Sequence, residues 1–193
     1  MPGLDNFTAV ILTGGTGSRM GGARKPLIMI DGEPIILKML RTLNPLFNVI
    51  IIAGGRIENL PQGRIVYVED RFAGGGPLAG IEAALTATVS EYLFVFAGDM
   101  PSLSSGIITA QADFMLNNPC DIVVPRTTAG IEPLHAVIDR RIAPALTQYL
   151  TEKGSPSVRS FYLKTDVRYF DVSIADQSNN PFRNINIPDD LQL

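Results

Sequence analysis

Apolar residues along this chain fall into short unbroken runs separated by stretches of helical spacing. The runs at 9–12, 49–53, 65–68, 93–97 and 122–125 carry almost no polar alternation. That is the pattern of strands covered on both faces. Between them, segments 35–43, 78–88 and 106–117 repeat apolar residues at three- and four-residue intervals, as with Ile81, Leu85 and Val89. Alternation of this kind predicts an α/β fold, a three-layer αβα sandwich around a mostly parallel sheet. After Arg126 the order is less regular. Segment 134–138 reads as a strand, 142–150 as a helix and 167–172 as a strand, while 155–157 and 176–181 read as polar turns. No linker is long enough to divide the chain. Residues 1–193 therefore read as one domain, with an N-terminal half to about residue 100 that runs directly into a second half.

Parallel α/β sheets bind ligands outside the carboxyl ends of their strands. The first four runs end in Gly14-Gly15, Ala53-Gly54-Gly55, Glu69-Asp70 and Gly98-Asp99. Two glycine turns and two acidic ends would thus share one edge. The first turn is the richest. Between Gly14 and Lys25 lie five glycines (14, 15, 17, 21 and 22) and the cations Arg19, Arg24 and Lys25. Glycine lets backbone N–H groups turn toward an anion without a Cβ in the way, and fixed positive charge beside them suits a polyphosphate. The spacing excludes the two commonest phosphate motifs. A P-loop needs Lys-Ser or Lys-Thr after its glycine, but Ala23 follows Gly22, and a GxGxxG begun at Gly15 fails at Met20.

Composition narrows the field. Charged residues make up 18% and the net charge is −3, so there is no basic stripe of the kind that tracks nucleic acid. The lone cysteine, Cys120, excludes an intrachain disulfide and a multi-cysteine zinc site; it reads as a buried thiol. The first eight residues contain Asp5 and no basic cluster, unlike a signal peptide. No apolar run approaches the roughly 20 residues that span a bilayer. A cytoplasmic protein without a membrane partner is the expectation.

The stretch Leu12-Thr13-Gly14-Gly15-Thr16-Gly17-Ser18-Arg19-Met20-Gly21-Gly22-Ala23-Arg24-Lys25 resembles the first loop of the molybdenum cofactor guanylyltransferases, within the nucleotidyltransferase superfamily. Gly76-Pro77-Leu78-Ala79-Gly80, Gly98-Asp99-Met100-Pro101, Glu132-Pro133-Leu134-His135-Ala136 and Asn184-Ile185-Asn186-Ile187-Pro188-Asp189-Asp190-Leu191 follow at matching intervals, so the resemblance covers nearly the whole chain. It implies the Rossmann-like sheet of that superfamily. It also implies a nucleotide site made by Leu12, Thr13, Gly14, Gly15, Arg19, Lys25, Asp70, Gly76, Gly80 and Asp99. Arg19, Lys25 and Asp99 would be catalytic, and Asp99 would hold Mg²⁺. Asn184, Asn186 and His135 would face the acceptor, GTP and molybdopterin or its molybdenum-loaded form being the substrates. Transient contact with other proteins of cofactor biosynthesis is a further implication.

Each residue also has a plain structural use. Aspartate before a proline turn commonly caps it, a strand-end Asp70 beside Glu69 can simply be solvated, and a lone histidine is often a hydrogen-bonded core group. Asparagine alternating at 184 and 186 fits either turn bonding or recognition of a heterocycle. Base choice rests on Gly14: a missing Cβ leaves room for a purine, which leans toward GTP, whereas cytosine-specific relatives tend to carry alanine there. Thr13 in place of the usual alanine, and Ala53-Gly54 where relatives often have asparagine, depart from the pattern. A related enzyme using CTP or another phosphorylated acceptor, and a non-catalytic nucleotide-binding protein, are the competing readings.

Overall fold

The computed structural model describes residues 4–14, 25–61, 64–152, 156–174 and 180–185. Among these residues, ten strands run in chain order: β1 (Phe7–Leu12), β2 (Met29–Ile30), β3 (Glu33–Pro34), β4 (Ile50–Ala53), β5 (Ile65–Val68), β6 (Tyr92–Ala97), β7 (Ile122–Thr127), β8 (Gly130–Ile131), β9 (His135–Asp139) and β10 (Val167–Asp171). Five α-helices join them: α1 (Ile35–Leu43), α2 (Pro77–Ala87), α3 (Ser105–Asn117), α4 (Ala143–Glu152) and α5 (Val158–Tyr162).

The main sheet has the order β10-β7-β9-β6-β1-β4-β5, with β8 paired to β7. β1 pairs in parallel with β4 and β6, β4 with β5, and β7 with β10. β9 lies antiparallel between β6 and β7, so strands from both halves of the chain share one sheet. Side chains alternate across it as the pleat requires. Ala9, Ile11, Ile50, Ile52, Phe94 and Phe96 face α1 and α3. Val10, Leu12, Ile51, Ala53, Leu93 and Val95 face α2, α4 and α5. Residues on both faces of β1 and β4 are buried, which is why these strands read as unbroken apolar runs. Each fully buried Phe or Ile contributes roughly 1.5–3 kcal/mol.

The α/β class and the parallel core agree with the sequence reading, and α1 falls on residues 35–43 as expected. Three features differ. Thr88 is the extended cap of α2, so Val89 lies beyond the helix and is 92% exposed; its helical spacing carries no packing. β2 and β3 form a small antiparallel hairpin around Asp31 and Gly32, both at positive φ, as the tight hairpin turn of an Asp-Gly pair demands. The third is the reversed direction of β9. Cys120 is buried, as expected, and burial raises its thiol pKa. Among the described residues no helix is long and apolar enough to cross a membrane.

Candidate functional site at the carboxyl edge of the sheet

At the end of β1 the chain is stitched to its neighbours. The Thr13 amide donates to the Ala53 carbonyl at 2.7 Å, and the Thr13 hydroxyl donates to the same oxygen at 2.9 Å. The Gly98 amide donates to the Leu12 carbonyl at 3.0 Å. The ends of β1, β4 and β6 are therefore locked side by side, and the hydroxyl of Thr13 is spent on that lock.

Glycine is obligatory at two of these ends. Gly54 has φ +104°, and a Cβ there would sit 2.1 Å from the Gly14 nitrogen; one at Gly98 would sit 2.7 Å from the Leu12 carbonyl oxygen. No side chain fits at 54 in this turn. Gly14 itself is different from the expectation of open space. A Cβ there would meet the Gly54 Cα at 3.1 Å and Asp70 Oδ2 at 3.6 Å. The small residue thus serves the close approach of two turns and of the Asp70 carboxylate.

Asp70 follows β5 and links these turns to α2. Its Oδ1 lies 3.5 Å from the Cβ position of Gly80, which is also hemmed in by Leu12 and Ala53. Partial burial raises the Asp70 carboxyl above the ordinary carboxylate range. The first turn of α2 borders this carboxylate. Gly76 caps it at φ 57°, ψ −145°, with no side-chain cap and Pro77 in the first turn. That backbone conformation is essentially confined to glycine.

Asp99 follows β6. Lys25 Nζ donates to its Oδ2 at 2.8 Å, with the two side chains 38% and 13% exposed. Sequence reasoning named both residues but gave no sign of their pairing across 74 positions. Pro26, next to Lys25, packs its ring 3.0 Å from the Cβ position of Gly98, and the Asp99 carbonyl accepts the Ile185 amide at 3.0 Å. This bond brings Asn184 beside Asp99. Asn184 Oδ1 is buried and has no hydrogen-bond partner among the described residues, a state that costs free energy unless something completes it.

Leu12, Thr13, Gly14, Asp70, Gly80, Lys25, Asp99 and Asn184 are therefore joined by direct contacts or chain adjacency, with Gly76 one helical turn from Gly80. Gly15, Arg19 and Asn186 lie outside the described residues.

His135 corrects an expectation. It is fully buried rather than turned to an acceptor. The rings of Phe94, Phe96 and Phe182 enclose it edge-on at 5.4, 5.1 and 4.9 Å. Gln111 donates from Nε2 to the Val123 and His135 carbonyls, which leaves Gln111 Oε1 to accept from His135 Nδ1 at 3.0 Å. Burial lowers the imidazole pKa to about 3, so at neutral pH it carries no charge to offer a phosphate.

One residue of the neighbourhood escaped sequence reading. Glu82 on α2 is fully buried and takes the guanidinium of Arg71. Its signal was a single charge inside the apolar helix Pro77-Leu78-Ala79-Gly80-Ile81-Glu82-Ala83-Ala84-Leu85.

The donor set suits a hard cation. Among the described residues no three His, Cys, Asp or Glu side chains form a metal cage, yet Mg²⁺ ordinarily takes one or two protein carboxylates and completes its shell with substrate phosphates and water. The largely buried Asp99 carboxylate meets that requirement.

Residues 9–167 match the family described as MobA-like NTP transferase domain. The molybdenum cofactor guanylyltransferase of Photobacterium profundum is 31% identical over 193 residues, covering 100% of this chain and 97% of its own. That of Desulfosudis oleivorans is 30% identical, covering 98% and 94%. The crystal structure of molybdopterin-guanine dinucleotide biosynthesis protein A from Archaeoglobus fulgidus superposes with a TM-score of 0.76 at 25% identity, over 95% of this chain and 94% of that one.

Proposed function

The chain belongs to the MobA-like NTP transferase family, and we propose that it transfers GMP from GTP to the terminal phosphate of molybdopterin or its molybdenum-loaded form. Full-length similarity to relatives named molybdenum cofactor guanylyltransferase carries this reading. An oxygen of the acceptor phosphate attacks the α-phosphorus of GTP. The bond from that phosphorus to the bridging oxygen breaks, and pyrophosphate leaves with the electron pair. A phosphate monoester has its second pKa at about 6 and is largely dianionic at neutral pH, so the nucleophile needs no general base.

The protein's work is then orientation and charge neutralisation. Lys25, held at Asp99, brings a cation to the departing phosphates, with Arg19 as its second contributor. Asp99 is the residue that would hold Mg²⁺, which when bound would neutralise phosphate charge as a Lewis acid. The Leu12 carbonyl and the Thr13 amide are taken by the bonds that tie the strand ends, so the Thr13 carbonyl and the Gly14 backbone are the groups offered to the guanine edge, beside the acceptor oxygens of Asp70. Asn184, whose Oδ1 has no partner among the described residues and whose chain neighbour Ile185 bonds Asp99, and Asn186 face the pterin.

GTP labelled at its α-phosphate, incubated with molybdopterin and the enzyme, tests this directly. The label is expected in the pterin product, and label from the γ-phosphate in pyrophosphate. Release of inorganic phosphate with no label in the pterin would contradict the transfer.

A further inference from the structure

Asp70 and Arg71 are adjacent in sequence, yet they do not pair. Arg71 turns to α2, where its Nε donates to Glu82 Oε2 at 3.3 Å and its terminal nitrogen bonds Glu82 Oε1. Glu82 is fully buried, while the Arg71 side chain is 55% exposed. Thr147 on α4 donates to the same Glu82 Oε1 at 2.8 Å. A buried carboxylate is strongly driven to keep its cation and its hydrogen bonds. Glu82 is therefore a fixed anchor between two packed helices, and Arg71 is a tether from that anchor to the end of β5.

The tether has two consequences for Asp70. It fixes the backbone one residue away, which sets the carboxylate between Gly14 and Gly80. It also holds the neighbouring cation off Asp70, whose carboxyl is raised by burial alone among the described residues. Asp70 is thereby kept as an acceptor free of its adjacent arginine.

We infer that Glu82, acting through Arg71, is a positioning residue for the nucleotide site, holding the Asp70 carboxylate against the Gly14 turn. This role rests on the reading of Asp70 as a nucleotide contact, and it adds residues outside the site to that reading. Neither Glu82 nor Arg71 touches substrate; both act through Asp70.

The test is a double-variant cycle on GTP affinity, with turnover and melting temperature measured on the same proteins. Arg71→Gln alters an exposed side chain and should fold. It and Glu82→Gln should each weaken GTP roughly tenfold, about the worth of one charge-assisted hydrogen bond, with turnover at saturating GTP unchanged. In an Asp70→Asn background both effects should vanish, because residues acting through one group are not additive. Thr147→Val removes one hydrogen bond to Glu82 but leaves its pairing with Arg71; it should lower the melting temperature and weaken GTP much less than Glu82→Gln does. Loss of GTP affinity in Asp70→Asn but not in Arg71→Gln would overturn the positioning role and spare Asp70 as a contact. Unchanged affinity in Asp70→Asn would overturn the Asp70 contact and the positioning role with it. Additive losses would show Arg71 acting on the nucleotide by another route and also overturn the proposal.

Discussion

At the scale of single residues, the pairing of Lys25 with Asp99 allows a clean separation of chemistry from stability. Lys25 is partly exposed, so the pair contributes no more than about 1 kcal/mol to folding. Asp99→Asn should therefore shift the melting temperature by only a few degrees while lowering turnover roughly a hundredfold or more. Parallel calorimetry and kinetics check both arms, and near-normal turnover at limiting Mg²⁺ would remove Asp99 from the metal site. Asn184 is the complementary case. Its Oδ1 has no partner to lose among the described residues, so Asn184→Ala should cost little stability and raise the acceptor KM with GTP affinity unchanged. Equal weakening of both substrates, with a lower melting temperature, would mark a structural asparagine. Lys25, Asp99 and Asn184 were legible as residue types within short motifs. The Lys25–Asp99 pair and the Ile185–Asp99 bond beside Asn184 were not, because each is made across tens of residues. His135 misled for the same reason: the motif around it says nothing of the three phenylalanines that enclose it.

Elements carry two further expectations. β9 begins with His135, whose folded pKa of about 3 lies below its ordinary value of 6.5. The folded state binds fewer protons than the unfolded chain between those values. This contribution is therefore complete above pH 6.5 and is lost as pH falls toward 3, with a slope approaching about 1.4 kcal/mol per pH unit. Urea unfolding at a series of pH values should show that slope in the native chain and a flatter one in His135→Gln. The β1–β4 ends make the second case. Gly54→Ala would push a Cβ into the Gly14 backbone and should reduce both stability and GTP affinity. Gly130→Ala, at φ +136° but with open space around it, should cost stability from backbone strain and leave GTP affinity intact. Thermal melts and GTP titrations on the two variants compare them. The parallel strands were readable because both their faces are covered. A covered strand's apolar run carries no direction, so the reversal of β9 was invisible. The Asp31-Gly32 hairpin did have a local signal, and it lay outside the readings made from apolar periodicity.

Across the whole molecule, the sheet gathers the ends of β1, β4, β5 and β6 onto one edge, and the Ile185–Asp99 hydrogen bond returns the C-terminal segment to it. On the proposed function, the groups assigned to the nucleotide and to the acceptor would meet at Asp99, as group transfer between two bound phosphates requires. That strand ends would converge was legible from the topology of parallel α/β sheets. The return of residues 180–185 was not, since it depends on the Ile185–Asp99 backbone bond and on Phe182 packing against His135, neither of them part of a strand pairing. On the proposed function, this edge transfers GMP specifically to the molybdenum cofactor. The most direct measurement is kcat/KM from pyrophosphate release, with GTP, CTP and ATP each offered against molybdopterin and against a sugar phosphate. GTP with molybdopterin should exceed every other pairing by about tenfold or more, the scale on which a shaped site discriminates. Equal rates for the three nucleotides, or faster release with CTP or the sugar phosphate, would contradict it.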